Sequence, residues 1–173
     1  MKHKTIYLLI GPKGSGKSFI GEVMQKELGT HFVRVEDWAK KIREDSNIED
    51  VSYLKEVFKS IEIGIRKELI EYNHIVFEST GLTEHFDQML ENLNRDFRVI
   101  TIGVKANHDI CLERVKKRDQ SIHINLSDEM VKRINQQVRA KKIDTDYTIV
   151  NEDKTRAQLK SELRLIINNQ TTL

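Results

Sequence analysis

At 173 residues and 38% hydrophobic content, the chain has room for one adequately buried α/β core and none for a second. Its 32% charged fraction exceeds the quarter or so of an ordinary soluble domain, yet 29 basic against 27 acidic residues leave only +2. That balance argues against a surface-wide polyanion partner such as nucleic acid and confines any anion site to a local cluster.

The opening MKHKTIYLLIGPKG has the basic end and apolar run of a secretory leader. Its run of about six apolar residues is shorter than such a leader needs, so it reads as a first strand, Ile6 to Ile10. No later stretch approaches the ~20 apolar residues of a membrane span. Lone Cys111 excludes an intramolecular disulfide, and there is no Cys/His cluster with zinc spacing, which fits a soluble protein of a reducing cytoplasm.

Directly after that strand, Gly11, four residues, Gly16, Lys17 and Ser18 fill the pattern G-x-x-x-x-G-K-S/T without substitution. Phe19, Ile20, Val23 and Leu28 then recur at helical spacing, so the order is strand, loop, helix. Glycines let the loop backbone bring its N–H groups close to a ligand, and the helix start adds further donors and a positive dipole end. The expected guest is a polyphosphate, with ATP and Mg²⁺ as cofactors. Gly11, Lys13, Gly14, Ser15, Gly16, Lys17, Ser18 and Phe19 would surround the nucleotide, Lys17 reaching the β- and γ-phosphates and the Ser18 hydroxyl the metal.

Further along, HFVRV (31–35), HIVFES (74–79), FRVITIGV (97–104) and YTIV (147–150) read as strands two to five. Helical patterns fill 37–45, 51–72, 83–93, 107–117, 127–142 and 155–168, with Thr83, Asn107 and Ser127 placed as N-caps. The alternation predicts a three-layer α/β/α fold with a five-stranded parallel sheet, in one domain over 1–173. Ligands of such sheets collect beyond the carboxyl ends of the strands, where Gly11, Glu36, Asp37, Ser79, Thr80 and Lys105 would emerge. Glu78, ending HIVFE, takes the place of the Walker B acid that supports Mg²⁺. The segment 37–72, with Trp38, Tyr53 and several lysines and arginines, would stand over the sheet as an acceptor-binding flap, and its lysines at mixed spacings read as solvated.

The chain resembles, over nearly its whole length, the small P-loop kinases of the nucleoside-monophosphate, shikimate and dephospho-coenzyme A kinase group. CLERVKKRD (111–119) is similar to the helix entering their mobile lid, and the resemblance implies that Arg114 and Arg118 close over the phosphates with a lid at 118–126. It further implies Asn151 near the adenine, and Asp37, the better match of the two acids ending strand two, near Mg²⁺ and the acceptor hydroxyl. The expected catalytic set is therefore Lys17, Asp37, Arg114 and Arg118. STGL after strand three lacks the glycine triplet by which shikimate kinases hold their substrate, and no Asp-Gly-Phe-Pro-Arg stretch marks an adenylate kinase.

The function these residues imply is transfer of the γ-phosphoryl group of Mg-ATP to a hydroxyl or phosphate of a small acceptor. The alternatives are a regulatory P-loop ATPase acting through a protein partner and a polynucleotide 5′-hydroxyl kinase. No Asn-Lys-x-Asp guanine signature is present, and an AAA-type motor would need a larger helical subdomain. Near-neutral net charge weighs against the polynucleotide reading.

Overall fold

A computed structural model describes residues 4–45, 51–119, 121, 123 and 126–169. Among them, β1 (Thr5–Ile10), β2 (His31–Phe32), β3 (His74–Ser79), β4 (Arg98–Lys105) and β5 (Tyr147–Val150) form one parallel sheet in the order β2-β3-β1-β4-β5. No helix among the described residues is long and apolar enough to cross a membrane.

Both faces of β1 are covered, which is why TIYLLI is apolar without alternation. Ile6, Leu8 and Ile10 pack beneath α3 (Val51–Glu71) and α4 (Glu84–Asp96), through Ile61, Ile65, Phe86 and Leu93. Tyr7 and Leu9 face α1 (Lys17–Leu28) and α7 (Arg156–Asn168), through Ile20, Val23, Leu159 and Leu163. The expected caps form: Thr83, Asn107 and Ser127 accept from Phe86, Asp109 and Met130 N–H at the starts of α4, α5 (His108–Lys117) and α6 (Asp128–Lys141).

Strand two is shorter than FVRV suggested, ending at Phe32, and α2 runs Val35–Asp45 rather than from 37. Val33 and Val35 are both buried, so their alternation mimics a strand, but Val35 reaches the core from a first helical turn. Glu36 and Asp37 occupy that turn, where the positive end of the helix dipole favours carboxylates. The helix starts two residues earlier than expected, at Val35 rather than 37, and its phase decides which of the two acids meets the site.

On the far face, Glu27 of α1 pairs with Arg156 Nε at 2.5 Å and Lys160 Nζ at 2.6 Å of α7. The two cations hold its carboxyl down at about 2. A depressed carboxyl contributes stability that is complete above its ordinary value near 4.5 and is lost as pH falls toward 2. Glu27→Gln is therefore expected to lower the urea midpoint at pH 7, with the gap to wild type closing between pH 4.5 and pH 2. A gap that stays constant over that range would assign the loss to packing instead.

Candidate active site

The loop between β1 and α1 is fixed by close approach of other segments, among them those at Cys111 and Asn151. A Cβ on Gly14 would lie 2.1 Å from the Cys111 carbonyl oxygen, and one on Gly16 would lie 2.2 Å from Asn151 Nδ2. Both residues also have positive φ, 83° and 94°, so glycine is required there twice over. Gly16 is the N-cap of α1 and supplies no side chain to cap it, which leaves the first N–H groups of the helix for a bound anion.

Lys17 is almost wholly buried and donates from Nζ to the carbonyl oxygens of Gly11, at 2.9 Å, and Pro12, at 2.8 Å. Burial pushes its ammonium down to about 8, with the Glu78 carboxylate opposing, so it remains a cation at neutral pH. Ser15 Oγ is fully buried and meets no hydrogen-bond partner among the described residues. A buried lysine, an orphaned hydroxyl and an uncapped helix start in one loop are the features that a bound polyphosphate satisfies together.

The Ser18 hydroxyl, one residue on, donates to Glu78 at 2.8 Å to Oε1 and 3.0 Å to Oε2. Glu78 stands beside Leu9 in the β1–β3 register, so the two residues expected to hold a metal are brought together from separate elements. A hydroxyl and a carboxylate suit Mg²⁺, a hard cation.

A cavity of about 480 Å³ extends from this loop to α2, α3 and α4 and is lined at its polar end by Lys13, Lys17, Ser18, Glu78, Arg114 and Arg118. Burial lowers the Lys13 and Arg118 cations, and Glu36 acts on both in the opposite direction. Glu36 lines the cavity, and its Oε2 lies 3.2 Å from Nδ1 of His123. Asp37 does not line it. The Asp37 side chain is 49% exposed and pairs with Arg34 at 3.5 Å, because a helix turns successive side chains about 100° apart.

Other expected residues sit differently from their sequence reading. Arg114 borders the cavity, but its guanidinium donates to the carbonyl oxygens of Asn151 and Glu152, both at 2.7 Å. Asn151 is buried and donates to the Ser15 carbonyl oxygen at 2.9 Å, which makes it a brace for the loop. Phe19 is exposed on the outer side of α1, where the Arg156 guanidinium lies over its ring. Of the lid at 118–126, residues 120, 122, 124 and 125 lie outside the described residues.

Asn135 of α6 was not singled out by the sequence. It is fully buried, accepts from the Lys13 N–H at 2.7 Å and donates to the Lys13 carbonyl oxygen at 2.9 Å. The available signal was its place on the buried stripe of α6 between Val131 and Val138, where a carboxamide without partners is costly.

Comparison with known proteins places this geometry. A family model described as an AAA domain matches residues 6–141. A shikimate kinase of Clostridium botulinum (strain Eklund 17B / Type B) is 32% identical over 102 residues, 59% of this chain and 61% of that protein. The chain thus spans about six tenths of the length of that curated relative. The crystal structure of shikimate kinase from Bacteroides thetaiotaomicron superposes with a TM-score of 0.67 at 16% identity, covering 96% of this chain and 98% of that one. The Mycobacterium tuberculosis APS kinase CysC, in complex with AMPPNP and APS, gives 0.64 at 13% identity, covering 97% and 99%.

Proposed function

Starting from the chain's membership of the AAA domain family, whose model spans residues 6–141, and from its small P-loop kinase fold, we propose that it is an ATP-dependent kinase of a small-molecule hydroxyl acceptor. The observation that carries this reading is the convergence on one cavity of Lys17, the Ser18–Glu78 pair and Glu36. The lone buried Cys111 supports a reducing, cytoplasmic setting.

In this mechanism the loop backbone and Lys17 hold the β- and γ-phosphates of ATP, and Arg118 and Lys13 balance charge at the transferring group. Ser18 and Glu78 would hold Mg²⁺, which when bound neutralises phosphate charge. The acceptor oxygen forms its bond to the γ-phosphorus as the bond from that phosphorus to the β,γ-bridging oxygen breaks. The electron pair leaves on that oxygen as part of ADP, and the hydroxyl proton passes to the Glu36 carboxylate. His123 orients that carboxylate, and Arg114 holds the loop that carries Asn151 against the donor site.

The test is ADP release from Mg-ATP with and without nucleoside monophosphates, dephospho-coenzyme A, shikimate, sugars, neutral alcohols and a short oligonucleotide. Stimulation by one small molecule is the expected result. A flat response above a Lys17-dependent basal hydrolysis would move the protein to the regulatory ATPases.

A further inference from the structure

Resting on the kinase reading above, we infer that the acceptor is an uncharged alcohol with an apolar body, and that the product is its phosphate monoester. The end of the cavity away from the phosphate loop is built from hydrocarbon. Leu54, Val57, Phe58 and Ile61 repeat along α3 at three- and four-residue intervals and turn one stripe toward the cavity. Phe77 of β3 and Met89 of α4 face it from the sheet side.

No lysine or arginine among the described residues lines this end. Among the described residues, the lysines and arginines that border the cavity are Lys13, Lys17, Arg114 and Arg118, which belong to the phosphate loop and the end of α5. Lys55 and Lys59 share α3 with the apolar stripe but lie on its exposed side, and Arg66 is engaged by Glu62 and Asp96. A carboxylate or phosphate carried on the acceptor would be pressed against Phe58 and Ile61 with no lysine or arginine of the described residues beside it, a costly placement. An aromatic or alicyclic body, by contrast, gains from burial there. The polar groups at this end are hydroxyls, Tyr53, Ser79, Thr80 and Thr83, which suit an uncharged partner. Glu36, at the boundary between the two ends, is the group that meets the reacting hydroxyl.

The deciding experiment is a matched pair, 2-naphthalenemethanol and 6-(hydroxymethyl)-2-naphthoate, titrated calorimetrically into the full chain, with ADP release from Mg-ATP measured in parallel. The neutral alcohol is expected to bind about tenfold or more tightly than the carboxylate. Leu54→Arg places a cation at a residue already 41% exposed, so the fold tolerates it, and it should narrow or invert the preference. Equal or tighter binding of the carboxylate to the wild type, binding of neither, or a preference unmoved by Leu54→Arg would overturn the inference. ADP release driven by the naphthoate alone would do the same while leaving the kinase reading intact. Selective binding of the alcohol without ADP release would sustain the preference for an uncharged ligand but overturn the phosphate monoester as product, and would count against the kinase reading.

Discussion

Lys17→Ala is expected to lower kcat/KM for phosphoryl transfer by about a thousandfold, the scale on which kinases and NTPases depend on a positioned cation at the transferring group. Stability should change little, because two effects oppose. The variant strands the carbonyl oxygens of Gly11 and Pro12, which Lys17 now satisfies, at a cost of about 1 kcal/mol each. It also removes a buried ammonium whose depression to about 8 shows that the fold works against its charge. Steady-state ADP release and a thermal melt on the same preparation separate the two. Near-wild-type turnover with an unchanged melt would remove Lys17 from the chemistry and with it the proposed mechanism.

The second large effect is expected at Glu36. Glu36→Gln keeps the shape of the side chain but cannot accept the hydroxyl proton, so kcat should fall by about 10²- to 10⁴-fold with the ATP dissociation constant changed much less. Asp37→Asn is the internal control. Its carboxylate points to solvent and Arg34, and exposed pairs of that kind contribute little, so kcat should stay within about twofold. The reverse pattern, a large loss at Asp37 and a small one at Glu36, would restore the neighbouring acid as the base and show that α2 rotates when substrates bind.

That pair of residues also shows where legibility in the sequence ended. The phosphate loop was readable because its chemistry is contiguous: Gly11 to Ser18 carry spacing, conformational demand and context within eight positions. The sheet was readable because burial on both faces leaves unbroken apolar runs such as TIYLLI and HIVF. Glu78 followed from its place at the end of such a run, and the structure brings Ser18 to it. Glu36 and Asp37 differ by one residue, and which faces the cavity depends on the phase of α2, which local alternation of Val33 and Val35 misrepresented. Asn135 and Asn151 act across 122 and 136 residues, so only the fold reveals them as braces. Arg114 was legible as a site residue but not as one whose donors are taken by carbonyls.

The contact between α2 and α3 reaches beyond architecture. Trp38 rests on Gly64 so closely that a Cβ there would come within 2.5 Å of its ring, and it is the chain's one tryptophan. Native emission excited at the red edge therefore comes from a single indole at the seam between two helices that border the cavity. Any separation of those helices would expose that ring further to water, so the protein carries an intrinsic optical gauge of the α2–α3 contact that needs no label and has no background from a second tryptophan.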